Sequence, residues 1–283
     1  MGGGSWTTTA FANYSTSTRG VSLDALGNLD TSMSNQEMFK AREVDKALNP
    51  YDVTRECLDS EEHPETVPVI LALDCTGSMG EAAVEIAKKL NTIMTKLYED
   101  LKDVEFCIMG IGDLYCDRGP IQISQFESDI RIAEQLDKLW FEFGGGGNYW
   151  ESYTAAWYMG SRHCDLDCWK RGKKGIIITI GDERLNPYLQ SNELMLQTGD
   201  DLEADIGTND LFKEASEKFN IYHIQVDHRR DWDIDNIVKS WDILGDNFKR
   251  ANMDSIADVI VDIITNIENG AFTVPASSDG ISW

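Results

Sequence analysis

The chain has 283 residues, 42% of them apolar and eight of them tryptophan, enough to bury one large core. Forty-nine acidic against 25 basic residues give a formal net charge of −24 at pH 7, a field that repels phosphate backbones and attracts cations, which argues against nucleic acid as a direct partner. The longest apolar runs, Val67 to Leu73 and Gly175 to Ile180, fall far short of the roughly 20 residues a membrane helix needs, so no membrane partner is expected.

In chain order, the first 35 residues are dominated by Gly, Ser, Thr and Asn and predict an extended or poorly ordered arm whose aromatics, Trp6, Phe11 and Tyr14, offer docking points. The opening Met1 to Thr9 has neither a basic start nor an apolar h-region, so no secretory signal is expected. Asn35 to Leu48 predicts a short helix stopped by Asn49-Pro50, and Asp59 to Glu65 a polar linker. Val67 to Leu73 is a buried strand ending abruptly at Asp74. Met79, Ala83, Ile86, Leu90, Ile93, Leu97 and Leu101 then recur every three or four residues, the stripe of an amphipathic helix. Val104 to Ile111 is a second buried strand, Ile121 to Ser124 a short edge strand and Ile130 to Trp140 a helix, broken by Gly144 to Gly147. Glu151 to Met159 predicts a helix and His163 to Lys174 a loop. Gly175 to Ile180 is a strand ending at Asp182 much as the first ended at Asp74. A helix over Asn209 to Phe219, a strand over Ile221 to Val226 and a closing helix over Asp254 to Ile267 complete the pattern.

Strands apolar on both faces and separated by helices imply a doubly wound α/β domain with a mostly parallel sheet covered on both sides. The expected organisation is an arm over residues 1–66, the α/β domain over 67–270 and a tail over 271–283. In such folds ligands bind beyond the carboxyl ends of the strands, where strand order reverses. Asp74, Asp113 and Asp182 all follow strands and are expected on that rim.

Asp74-x-Thr76-x-Ser78 puts a carboxylate and two hydroxyls on alternate residues of a tight loop, so that their oxygens converge. A small hard cation such as Mg²⁺ or Mn²⁺ takes oxygen ligands and keeps several waters, so few charged ligands suffice. Helix capping by Thr76 or Ser78 accounts for one hydroxyl but not for an acid at a strand end and a second hydroxyl. Other motifs are weaker. The glycines at 144–147 lack the lysine of a phosphate-binding loop and read as a rim loop. His163-Cys164-x3-Cys168 lacks the second ligand pair of a zinc site. Asp113 and Asp117 either extend the rim or close a turn. His223 and His228 read as packing residues, and Trp140, Trp157, Trp232 and Trp241 as helix-sheet packing.

This constellation resembles the von Willebrand factor A domain, whose metal-ion-dependent adhesion site carries Asp-x-Ser-x-Ser after the first strand. The wording Asp74-Cys-Thr-Gly-Ser-Met-Gly80, with Gly112-Asp113 and Cys116-Asp117 after the second strand and Gly145-Gly-Gly-Asn-Tyr-Trp-Glu151 further on, is most similar to the intracellular and microbial branch near alpha-kinase-linked A domains. The resemblance covers roughly Val67 to Glu268. It implies Asp74, Thr76, Ser78 and Asp182 as metal ligands, with Asn148 or Glu151 standing where the family has a threonine. It further implies a non-enzymatic, metal-dependent protein-interaction module, an adaptor or assembly factor working with an AAA-type ATPase.

Six scattered cysteines, two of them in or beside core strands, suit reduced thiols and a cytoplasmic location. The rival from another class is a metal-dependent phosphohydrolase on a similar sheet. Its haloacid-dehalogenase form needs Asp-x-Asp, and Thr76 stands at the second acid's place. A structural protein with a vestigial metal site is the third reading.

Overall fold

The computed structural model describes residues 4–77, 79–101, 103–142, 149–227 and 233–268. The segment expected to be extended opens instead with helix α1 (Thr8–Tyr14), capped by the Thr7 hydroxyl accepting from the Ala10 N–H, and a π-helical turn ending at Gly20. A capped four-residue helix α2 (Asn35–Met38) and a 3₁₀ turn (Lys46–Leu48) replace the single helix expected over Asn35 to Leu48. The apolar residues here are widely and irregularly spaced, yet Trp6, Phe11, Val21, Leu29, Met38 and Phe39 are all buried in the main core. A chain that winds over a surface needs one anchor every several residues, which leaves no helical or strand period to read.

Strand β1 (Arg55–Cys57) precedes β2 (Val67–Asp74), the fully buried strand seen in the sequence, and helix α3 (Gly80–Asp100). Then come β3 (Val104–Ile111), β4 (Ile121–Glu127), α4 (Arg131–Leu136), the two-residue β5 (Trp150–Glu151), α5 (Thr154–Arg162) and β6 (Cys164–Leu166). Helix α6 (Asp167–Lys170) leads to β7 (Gly175–Gly181), the short β8 (Arg184–Leu185) and β9 (Tyr188–Leu189), and α7 (Ser191–Thr198). Strand β10 (Ile206–Gly207), α8 (Thr208–Lys218), β11 (Phe219–Val226), α9 (Ile234–Ser240), β12 (Phe248–Ala251) and α10 (Ile256–Glu268) close the fold. The expected tail over 271–283 lies outside the described residues, as do Ser78, Asn148, the glycines 144–147, His228 and Trp232.

Six strands make the central sheet, in the order β12-β11-β7-β2-β3-β4. All neighbours are parallel except β4, which returns antiparallel along β3 as the edge. Counted by appearance in the chain this is the order 3-2-1-4-5-6 of a doubly wound Rossmann-like α/β fold, with its switch point between β2 and β7. Alternate residues of the central strands feed two cores. Val69, Leu71, Leu73, Ile176 and Ile178 pack with residues of α3, α10 and the N-terminal segment, whereas Ile70, Ala72, Cys107 and Ile177 pack with α5 and α8. Covering both faces removes both from water, which is why these strands read as unbroken apolar runs.

The N-terminal segment is tied to α3 and its neighbours by specific polar contacts. The Trp6 indole N–H donates to Asn91 Oδ1 (3.0 Å), and Asn91 Nδ2 donates to the Gly27 carbonyl (3.1 Å). Arg19 forks onto the Asp137 carboxylate. The Gly4 carbonyl accepts from the Ser128 hydroxyl (2.6 Å) and lies 2.9 Å from His63 Nε2.

Candidate metal-binding rim at the strand switch point

Register places the rim. Leu73 pairs with Ile180, so Asp74 at the end of β2 lies level with Gly181 at the end of β7, and Asp182 follows immediately. Both acids are buried, Asp74 fully and Asp182 to 3% exposure. The Asp74 carboxylate is held on both oxygens. Its Oδ1 accepts from the Thr76 N–H (2.9 Å) and from the Thr76 hydroxyl (2.6 Å), and its Oδ2 accepts from the Tyr153 hydroxyl (2.8 Å). A hydroxyl that donates to a carboxylate keeps its own lone pairs, so Thr76 remains an oxygen donor for a ligand.

Tyr153 was not singled out by the sequence. Its hydroxyl also accepts from the Glu183 N–H (3.3 Å), so one oxygen joins the ends of β2 and β7 across the switch point. Gly181 makes room for it: a Cβ there would meet the Tyr153 Oη at 1.9 Å. The ring packs against His223 and Trp241, centroids 5.1 and 5.2 Å away, and these two stack at 3.6 Å. His223 thus has the packing role expected of it, with its Nδ1 2.9 Å from Thr179 Oγ1. The sequence signal for Tyr153 is only an aromatic within the helix predicted from Glu151 and a glycine before Asp182.

Glu151 lies in β5, which pairs with β8 directly after Asp182 and Glu183, and this brings it to the rim. The sequence predicted a helix starting at Glu151; the helix begins at Thr154, and Glu151 is strand. It is 7% exposed, and its Oε2 has no hydrogen-bond partner among the described residues. Burial, and then the charges of Asp74, Asp117, Asp113 and Asp182, push its carboxyl well above the usual range. Burial and the Asp182 charge likewise raise Asp74. The Tyr153 hydroxyl is driven up by burial and by the same acids. No salt bridge reaches Asp74 or Glu151 among the described residues, and Arg184, two residues past Asp182, forks onto Asp233 instead.

Asp113 and Asp117 close a turn beside the rim: Asp117 Oδ2 accepts from the Asp113 N–H (2.7 Å) and Asp113 Oδ1 from the Tyr115 N–H (3.0 Å). Of the six residues expected as ligands, Asp74, Thr76, Glu151 and Asp182 therefore come to one end of the sheet, while Ser78 and Asn148 lie outside the described residues. Among the described residues no three His, Cys, Asp or Glu side chains stand in ligating geometry. The donors present are all oxygen, and Glu151 offers a buried oxygen without a partner, a set that fits a hard cation keeping water and hydroxyl ligands rather than a carboxylate cage. The zinc alternative is accounted for otherwise, since His163 Nε2 meets Asp200 (2.7 Å) and Nδ1 meets the Val53 carbonyl (3.0 Å).

No family model matches the chain, and no curated protein matches it. Solved structures with a similar outline include the open conformation of the pilus adhesin SpaC from Lactobacillus rhamnosus GG. That likeness has a TM-score of 0.47 and 13% identity, and covers 78% of this chain and 31% of that one. The vWF domain of the type V pili tip protein Mfa5 from Porphyromonas gingivalis has a TM-score of 0.47 and 12% identity, covering 74% of this chain and 97% of that one. The chain spans about a third of the length of the adhesin it overlaps. The doubly wound α/β fold stands on the strand order and register of the chain itself.

Proposed function

We propose that this chain is a von Willebrand factor A-like, non-enzymatic interaction module that takes Mg²⁺ or Mn²⁺ at the β2/β7 rim and recruits a protein partner there. The observation that carries the reading is the unpartnered, buried Glu151 Oε2 beside the buried Asp74 and Asp182 at adjacent strand ends. Like charges taken out of water raise one another's energy, and a divalent cation among them removes that cost. Asp74, Thr76, Asp182 and Glu151 would hold the ion, with Ser78 and Asn148 as the further candidates named by the motif. The ion would supply a position that accepts an acidic side chain of the partner, coupling occupancy to recruitment. Glu151, as a further anion on the metal, weakens that appetite and sets the module apart from strongly carboxylate-seeking adhesion sites.

An AAA-type ATPase system is the partner class we propose, on the sequence resemblance. A cytoplasmic setting suits the free thiols of Cys57, Cys75, Cys107, Cys164 and Cys168, all of them buried. The test is calorimetric titration of the full chain with Mg²⁺ and Mn²⁺, beside the Asp74→Ala variant, with thermal unfolding as a second readout. Saturable heat and a cation-dependent rise in Tm for the wild type, both lost in the variant, are expected. Absence of both in the folded wild type would overturn the proposal.

A further inference from the structure

Seven large hydrophobic side chains stand exposed among the described residues, and four of them fall on α7 or on segments abutting it: Tyr51, Tyr188, Met195 and Leu196. Helix α7 buries Leu194 and Thr198, four residues apart, and turns Met195 and Leu196 outward, at 45% and 65% exposure. Tyr51 comes to its C-terminal end, where the Asp52 N–H donates to the Thr198 carbonyl (2.9 Å) and the Tyr51 ring lies against Gly199. Tyr188 lies in β9, two residues before the N-cap Gln190. Scattered exposed apolar residues are ordinary, but a group of them on one short helix and its flanks marks a contact surface.

The charge along the chain through α7 is of one sign. From Leu185 to Phe212 the chain has no Lys or Arg, and it carries Glu193, Asp200, Asp201, Glu203, Asp205 and Asp210. Asp201, Glu203, Asp205 and Asp210 are exposed. We propose that the α7 face docks a basic amphipathic helix of a partner protein. Its apolar stripe would lie on Met195, Leu196 and Tyr51, and its Lys and Arg side chains would reach the surrounding acids. Methionine and leucine give an adaptable apolar floor, and acids around it select the sign of the partner and speed its approach. This surface uses none of the rim ligands, so it stands or falls independently of the metal site.

The probe is a fluorescein-labelled synthetic helix of roughly 18 residues with Leu on one side and Lys on the other, titrated with the full chain and followed by anisotropy. Saturable binding is expected that weakens as salt rises. The double variant Met195→Ser/Leu196→Ser should weaken it at least about ten-fold while keeping the wild-type Tm, as surface positions allow. Adding a chelator of divalent cations should leave it unchanged. A scrambled peptide of the same composition, which forms no apolar stripe, should bind at least about ten-fold more weakly. Equal binding of the scrambled peptide, or wild-type binding by the double variant, would overturn the proposal. So would sedimentation showing a wild-type dimer that the double variant abolishes, because the face would then belong to a second copy of the chain.

Discussion

Replacing Tyr153 by Phe removes one oxygen from the switch point and leaves the packing of the ring in place. In the native site that oxygen gives Asp74 Oδ2 the donor that Thr76 gives twice to Oδ1, and it receives the Glu183 N–H. Asp74 is fully buried, so water does not replace the lost donor without opening the rim. A hydrogen bond to a buried charged group contributes about 1.5–3 kcal/mol, and the longer 3.3 Å bond from Glu183 adds a few tenths of a kcal/mol more. Against this stands the hydroxyl's own desolvation, which the variant no longer incurs, leaving a net loss of about 2 kcal/mol. At roughly 2–4 °C per kcal/mol for a chain of this order of size, Tm should fall by about 4–8 °C. The assay is urea unfolding of both proteins in chelator at mildly alkaline pH, where Asp74 is ionised, read by tryptophan fluorescence. A loss below about 0.5 kcal/mol with an unchanged m value would refute the view that this hydroxyl ties β2 to β7.

Two further outcomes are expected. Asn91→Ala takes the acceptor from the Trp6 indole and the donor from the Gly27 carbonyl, and should cost about 2–3 kcal/mol in a single unfolding transition; loss of the N-terminal segment's contacts with global stability unchanged would show instead that residues 4–66 unfold as a separate unit. Burial holds His223 well below the ordinary 6.5, so the unfolded chain takes up a proton that the native chain refuses. Its share of stability is therefore full at neutral pH and is lost as pH falls below about 6.5. His223→Phe keeps the stack on Trp241 and should flatten the fall in urea midpoint between pH 7.5 and 5.5 (approximate assay values bracketing that pKa); an unchanged slope would contradict the assignment.

How far the sequence could be read follows from what each element depends on. Strands β2 and β7 are buried on both faces, so their apolar runs are continuous and their ends at Asp74 and Asp182 conspicuous. Pairing of parallel strands then brings residues 74 and 182 to one rim, because the switch point follows from the alternation of strands and helices. Glu151 is visible in the sequence only through the resemblance, as one of two candidates with Asn148 for a single position; its place depends on a two-residue strand pairing with β8, too short to carry a period. Tyr153 depends on a contact with Asp74 across 79 residues and on a space left by Gly181, neither of which is a local property. The sequence of the N-terminal segment predicts an extended or poorly ordered arm because its anchors are few. Trp6, Phe11 and Leu29 are nonetheless buried, and each is held by the shape of α3 and its neighbours rather than by a pattern of its own.

The net charge of −24 is not spread evenly, and its unevenness links the two proposed surfaces. Many of the arginines are already spent on particular acids: Arg19 on Asp137, Arg131 on Asp129 and Glu127, Arg162 on Glu214, Arg171 on Asp59, Arg184 on Asp233 and Arg250 on Asp227. Neutralisation by arginine thus runs through the frame of the molecule and misses Asp74 and Glu151 at the rim and the run from Leu185 to Phe212 around α7. Depth then decides what each place can accept. At the rim the acids are buried, so a compensating charge has to be compact and held by oxygen ligands, which suits the proposed divalent cation with the waters it keeps. Around α7 Asp201, Glu203, Asp205 and Asp210 are exposed and screened, so a single ion gains little there; many basic side chains, carried on the proposed helix that also buries Met195 and Leu196, would gain enough to stay bound.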